Sequence, residues 1–371
     1  MTTTQTRAYP TNPAAITAEW LTAALRESGA ITDATVTAFD AKVIGAGAGF
    51  MGELAKLSLT YDKPEAGAPR SLIGKFAAAA MENRGVAMFF RFYEREVNFY
   101  EQIAERVELR TPRCYFSGFE PSNGDYLLLL EDLAPAEVGD QVAGCSAEQV
   151  QLAISELAKF HATWWNSPEL DKLDWMPGYD ADWYIQALED GYAQAWEPFV
   201  EFTKDYLTPE MADVCQRFGN CARKVMTMVG LDLPRTIVHG DYRLDNLFFA
   251  SPAGGPPFAV IDWQISAKGG GIFDVAYFVA GTLPEAERKA TERALVKLYH
   301  DTLVASGVKD YTFEQCWHDY RFCALFLLAY SVIALGSLDH ANARGVELFT
   351  MISKRTLAAI TDLNSAELLP E

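Results

Sequence analysis

At 371 residues, half of them hydrophobic and 22% charged, the chain is long enough to bury a large core and to divide into two lobes or domains. Its formal net charge of −19 excludes the basic footprint that nucleic acids and anionic membranes require. The charge suits a cationic small molecule without demanding one, because solubility alone favours acidic surfaces.

The apolar spacing predicts a short helix over 14–28, with Trp20, Leu21, Ala24 and Leu25 on one side. Strands follow at 36–44, at 57–61, where Leu57, Leu59 and Tyr61 alternate with polar residues, and at 72–77. The turn-rich stretch 62–69 separates the last two. A helix over 86–107 comes next, then strands at 113–116 and 126–130. From Ser146 the signals are mainly helical. Ser146 and Gln149 make a capping box ahead of Val150, Leu157, Phe160 and Trp164. Further helices are expected at 182–202, 209–229, 285–306, 312–336 and 342–363. The order implies an α+β chain, a small β-rich lobe over 1–130 and a large helical lobe over 131–371.

The six cysteines, Cys114, Cys145, Cys215, Cys221, Cys316 and Cys323, form no C-x-x-C pair and have no histidines at zinc-finger spacing. They read as reduced, mostly buried thiols of a cytoplasmic protein. Residues 1–7 have no signal-peptide core, and the longest apolar run, 322–335, is short for a membrane span and suits a buried helix.

In the β-rich part, Gly47, Gly49 and Gly52 make a G-x-G-x-x-G pattern. A dinucleotide fingerprint would open a helix; here a strand follows, which favours a glycine-rich lid whose backbone N–H groups approach phosphates. Lys75 sits in an apolar strand, where a charge needs a partner. Glu96 lies in the inward series Phe89, Tyr93, Tyr100, Ile103 and Val107 and is the economical partner, with Glu94 as its rival. The apolar strand from Tyr126 ends at Glu131, Asp132 and Leu133, and its position makes Glu131 and Leu133 candidates for a linker that offers backbone groups to a nucleotide base.

The most informative stretch is His239-Gly240-Asp241-Tyr242-Arg243-Leu244-Asp245-Asn246, followed by the apolar Val260-Ile261 and Asp262. One carboxylate to receive a hydroxyl proton, and an amide and a second carboxylate to hold Mg2+, are what phosphoryl transfer requires. Asp241 is then the candidate base, and Asn246 and Asp262 the metal ligands. His239 orients the loop, Arg243 and Asp245 pair with each other or with substrate, and Asp274 caps or braces the helix after Gly269-Gly270-Gly271. His161, on an apolar helix face, reads as a satisfied core histidine.

These residues resemble the aminoglycoside-phosphotransferase and choline-kinase-like superfamily, and most of all its ecdysteroid kinase-like branch with its bacterial relatives. Besides the loop, Thr17-Ala18-Glu19-Trp20-Leu21 and Glu131-Asp132-Leu133 carry the likeness, which covers roughly residues 40–285. Trp263-Gln264 follows the metal-binding Asp where a protein kinase has Phe-Gly. The resemblance implies a protein-kinase-like bilobal fold, and a phosphotransferase using ATP, or GTP in its place, with Mg2+, on a small-molecule hydroxyl. Lys75, held by Glu96, would grip the phosphates. The aromatic C-terminal helices, with Phe278, Trp317, Tyr320, Phe322, Phe326 and Tyr330, favour a bulky apolar, steroid-like alcohol. Asp319, Asp339 and Glu347 are the acids that a cationic acceptor of the aminoglycoside type would need near Asp241. A catalytically silent nucleotide-binding module is the alternative outside enzymes, against which the complete Lys, Asp, Asn, Asp set speaks.

Overall fold

A computed structural model describes residues 8–44, 51–338 and 342–371. The chain divides into two compact units, one formed by 1–106 and 111–134 and the other by 107–110 and 135–371.

The first unit holds helix α1 (Ala18–Glu27), strands β1 (Val36–Ile44), β2 (Gly52–Tyr61) and β3 (Ser71–Ala77), helices α2 (Met81–Phe89) and α3 (Phe92–Gln102), and strands β4 (Cys114–Glu120) and β5 (Asp125–Glu131). The strands form one antiparallel sheet in the order β1-β2-β3-β5-β4. Alternation along β3 and β5 sorts side chains onto two faces. Leu72, Phe76, Leu127 and Leu129 join Trp20, Leu21, Ala24 and Leu25 of α1 in one buried cluster. Each such leucine contributes about 1.5–3 kcal/mol by leaving water. Lys75 stands on the opposite face, between Leu54 of β2 and Leu128 of β5. Thr17 caps α1 by accepting the Trp20 N–H at 3.1 Å.

The single helix expected over 86–107 is two. Arg91 takes φ 60° between α2 and α3, a left-handed conformation that ends the first helix. The break reassigns Phe89, placed inward by the sequence spacing, to α2, where it is 59% exposed. Tyr93, Glu96 and Tyr100 of α3 remain buried.

The second unit contains strand β6 (Glu137–Val138), helices α4 (Ala147–Trp164), α5 (Asp182–Thr203) and α6 (Pro209–Leu231), strands β7 (Arg235–Val238), β8 (Leu247–Ser251), β9 (Gly254–Val260) and β10 (Ala267–Gly270), and helices α7 (Ile272–Thr282), α8 (Glu285–Ala305), α9 (Phe313–Gly336) and α10 (Ala343–Asp362). The Ser146–Gln149 capping box opens α4. Every residue of α7 is buried. Helix α9 is long and apolar enough to cross a membrane, yet 72% of its apolar window is buried in this fold, where it packs with α5, α7 and α10. Two short sheets, β10-β7 and β6-β8-β9, frame the loop between β7 and β8. Cys215, Cys316 and Cys323 are buried free thiols; Cys114, Cys145 and Cys221 are half-buried ones.

Candidate active site

The loop of residues 239–246 leaves β7 through Gly240, whose φ is 86° and where a Cβ would lie 2.7 Å from the Ile265 carbonyl oxygen. Only glycine fits that approach without strain. The backbone N–H groups of His239 and Gly240 donate to the two oxygens of Asp274, at 2.7 and 2.9 Å. Asp274 is fully buried, and its Oδ2 also lies 3.2 Å from His161 Nε2. His161 Nδ1 in turn lies 2.8 Å from the Tyr299 hydroxyl. Asp274 therefore braces the loop rather than its own helix, whose N-cap, Gly271, has no side-chain cap. His161 is a satisfied core histidine whose bond extends to that brace.

His239 uses both ring nitrogens on backbone. Nε2 donates to the Ile261 carbonyl at 2.9 Å, and Nδ1 accepts the Asp241 N–H at 3.2 Å. Its ring meets the buried Trp263 edge-on at 4.7 Å; this is how the chain fills the position after the metal-type Asp.

Among the described residues, three hold the Asp241 carboxylate. Arg243 Nε donates to Oδ1 at 3.0 Å and to Oδ2 at 3.1 Å. The Tyr277 hydroxyl donates to Oδ1 at 2.8 Å. Asn246 Nδ2 donates to Oδ2 at 3.0 Å and to the Asp241 carbonyl at 2.9 Å. The Asp241 side chain nevertheless keeps 23% exposure, so a small molecule can reach it. Arg243 also pairs with Asp245. Burial works against the Arg243 cation, but Asp241, Tyr277 and Asp245 outweigh it and hold its pKa above the ordinary arginine value. Burial, then the Asp241 charge, raises the Tyr277 phenol, so it stays a proton donor. Gln141 closes the far side. It donates its N–H to Asp245 at 3.0 Å and accepts the Leu244 N–H at 2.8 Å.

Register brings the metal-type pair together. In the β8–β9 hairpin Leu247 faces Val260, and the Ile261 N–H donates to the Asn246 carbonyl at 3.0 Å. Asp262 follows directly, at φ 66°, a conformation that costs a non-glycine residue on the order of 1 kcal/mol and is characteristic of functional positions. With both Nδ2 protons of Asn246 directed to Asp241, its Oδ1 is the atom left for a cation. An amide oxygen and a carboxylate are hard donors that fit Mg2+, which takes one or two carboxylates and completes its shell with phosphate and water oxygens. No group of three or more His, Cys, Asp or Glu able to hold a metal occurs among the described residues; Mg2+ bound to phosphates needs no such cage.

In the first unit, Lys75 Nζ lies 2.9 Å from Glu96 Oε1 and 2.7 Å from Oε2. The rival Glu94 instead takes Arg91, at 2.7 and 2.9 Å. The Tyr126 hydroxyl donates to Glu96 Oε2 at 2.7 Å, and its ring stacks on Tyr93 at 4.6 Å. Gly52 pairs with Ala77, and a Cβ there would meet the Phe76 carbonyl oxygen at 2.8 Å; Gly47 and Gly49 lie outside the described residues. Glu131 ends β5 and accepts the Arg113 N–H at 2.9 Å. Leu133 is buried.

The aromatic helices divide between core and surface. Phe278, Tyr320, Phe322 and Phe326 are at most 2% exposed and serve packing. Tyr330 and Tyr277, 5.5 Å apart, line a cleft with Leu327, Ala334, Phe349 and Ile352, to which no charged residue contributes among the described residues. The acids considered for a cationic acceptor do not gather there. Asp319 is buried against Tyr311 and His318, Glu347 is exposed beside Arg344, and Asp339 lies outside the described residues. Sequence reasoning missed Tyr277, Gln141 and Tyr126. Tyr277 alone left a usable trace: it stands three residues after Asp274, on the same helix face.

A β-rich unit, a helical unit and a braced Asp-to-Asn loop define the protein-kinase-like bilobal α+β fold. The choline kinase of Cryptosporidium parvum Iowa II has a similar fold, with a TM-score of 0.56, 12% identity, and coverage of 95% of this chain and 98% of that one. A putative aminoglycoside phosphotransferase from Ralstonia eutropha JMP134 gives a TM-score of 0.51 at 16% identity, covering 95% and 98%. The GDP complex of an aminoglycoside 2'-phosphotransferase-IIIa mutant gives 0.52 at 13%, covering 91% and 97%. The sequence profile of the ecdysteroid kinase-like family matches residues 46–310. The chain belongs to that kinase-like phosphotransferase family. It is also 38% identical over 80 residues to acyl-CoA dehydrogenase family member 10 of Mus musculus, a match spanning 20% of this chain and only 7% of that protein.

Proposed function

We propose that the chain transfers the γ-phosphoryl group of ATP, with Mg2+, to a hydroxyl of a small and predominantly apolar alcohol. The observation that carries this reading is the Asp241 carboxylate, partly exposed and fixed by Arg243, Tyr277 and Asn246. Asp241 orients the attacking hydroxyl and receives its proton as the new O–P bond forms and the bond between the γ-phosphorus and the bridging oxygen breaks, with ADP as the leaving group. Asn246 and Asp262 are the residues that would hold the metal. The Lys75–Glu96 pair, steadied by Tyr126, would hold nucleotide phosphates. The bound Mg2+-nucleotide supplies the phosphoryl group and offsets its charge. Positioning and fixed charge then account for catalysis. The uncharged cleft beside Tyr277 favours an apolar alcohol over an aminoglycoside-type cation, and its free volume of about 40 Å³ fits a small apolar end rather than steroid-like bulk.

The test is nucleotide consumption against a panel of neutral aliphatic, aromatic and sterol alcohols, with choline and an aminoglycoside as cationic controls. The wild type should turn over at least one neutral alcohol. Asp241→Ala should lose about 10²–10⁴-fold in rate while binding nucleotide within a few-fold. Undiminished turnover by the Ala variant would remove Asp241 from the mechanism.

A further inference from the structure

Tyr277 belongs to two structures at once. Its hydroxyl donates to Asp241 Oδ1 at 2.8 Å, and the residue lines the cleft shared with Leu327, Tyr330, Ala334, Phe349 and Ile352. Its ring lies 6.2 Å from Phe273 and 5.5 Å from Tyr330, so α7 and α9 hold it in place. Among the described residues, Arg243 and Asn246 from its own loop and Tyr277 from α7 hydrogen-bond to the Asp241 carboxylate, and the Tyr330 hydroxyl faces its charge. Of the three that bond to it, Tyr277 is the one that is also a wall of the apolar cleft. A phenol suits both duties, because one edge is a hydrogen-bond donor and the rest is apolar surface. The lining is apolar and aromatic, with the hydroxyls of Tyr330, Ser331 and Thr356 as its other polar groups, and its free volume of about 40 Å³ is room for a small alkyl end rather than for a whole acceptor.

We propose that Tyr277 is the positioning residue through which the acceptor is registered. The cleft among α7, α9 and α10 takes a small apolar end of the acceptor, and the Tyr277 hydroxyl fixes the Asp241 oxygen that meets the reacting hydroxyl. The inference rests on the phosphotransferase reading and adds to it a place for the acceptor and a residue that aligns it. Alignment and binding should therefore separate in kinetics.

Tyr277→Phe keeps the ring and removes the donor. With a neutral alcohol turned over by the wild type, it should lower kcat about 10- to 100-fold, the scale of a misplaced reacting group, and leave acceptor KM within about 3-fold. Ala334→Phe fills the half-buried cleft side of α9. It should raise acceptor KM at least about 10-fold while leaving nucleotide KM unchanged. A purely structural role for Tyr277 would move kcat, acceptor KM and nucleotide KM together, and would overturn the proposal. So would a wild-type kcat in Tyr277→Phe, or an unchanged acceptor KM in Ala334→Phe; either leaves the phosphotransferase reading standing. A wild type that consumes nucleotide only with choline or the aminoglycoside overturns the apolar cleft. One that consumes none with any acceptor overturns both.

Discussion

Replacing Asp274 with asparagine tests whether the loop is held from beneath by one buried carboxylate. Its oxygens accept the N–H groups of His239 and Gly240, at 2.7 and 2.9 Å, and face His161 Nε2 at 3.2 Å. All of this is fully buried. Asparagine has the same shape but offers one oxygen, and its amide would point N–H against N–H at the other position. One or two buried donors lose their acceptor, at about 1–3 kcal/mol each, so Asp274→Asn should cost about 1–6 kcal/mol. A unit of this size loses roughly 2–4 °C in melting temperature per kcal/mol, and calorimetry should show a drop of about 2–24 °C. His161→Phe keeps the volume and removes one donor to the same carboxylate. It should cost less alone and be coupled to Asp274→Asn by about 0.5–3 kcal/mol in a double-mutant cycle. A shift below about 2 °C, or strict additivity of the two changes, would refute the brace.

Three further outcomes follow from named contacts. Asp262→Asn should weaken Mg2+-nucleotide binding more than metal-free nucleotide binding in parallel titrations, because an amide cannot match a carboxylate at a hard cation; equal losses would make Asp262 structural. Lys75→Met and Glu96→Gln should be coupled by about 0.5–3 kcal/mol in nucleotide affinity, given their contact at 2.7 Å, and additive losses would deny the pair that role. Burial holds the Asp319 carboxyl above its ordinary 3.8, against the bonds from His318 and Tyr311 that lower it. Above 3.8 the unfolded chain gives up that proton before the folded one does, so stability falls with rising pH until the folded group ionises. Asp319→Asn should therefore raise the melting temperature at pH 7 and lose that advantage near pH 3, and an equal effect at both would contradict the sign.

The sequence disclosed most where chemistry restricts residue type. Asp241, Asn246 and Asp262 stand out because an acid and an amide five residues apart, followed by an acid after an apolar run, have few other uses. Lys75 and Glu96 were readable because a charge on an inward face demands a partner, and they do pair. Helix boundaries from 182 onward fell within a residue or two because Thr208, Thr312 and Asn342 announce them as caps. The break at Arg91 was invisible, since nothing in an arginine's residue type signals a left-handed φ. Tyr277, Gln141 and Tyr126 were hard to read for a different reason, with only the spacing of Tyr277 from Asp274 as a trace. Their partners Asp241, Asp245 and Glu96 lie 36, 104 and 30 residues away, and the fold alone makes them neighbours. The acceptor surface was over-read from aromatic content, because Phe322 and Phe326 have the spacing of a core helix as well as that of a pocket wall.

The bonds around Asp241 also bear on how it would act. Arg243, Tyr277 and Asn246 donate to its two oxygens and so fix where both stand. Phosphoryl transfer passes through a loose transition state that leaves the protein little covalent chemistry to do, so catalysis rests on positioning and fixed charge. An acceptor for the hydroxyl proton must then stand in the right place throughout the reaction. On the phosphotransfer reading, this is why the Tyr277 hydroxyl, which is not itself the base but holds Asp241 Oδ1 at 2.8 Å, can set the rate.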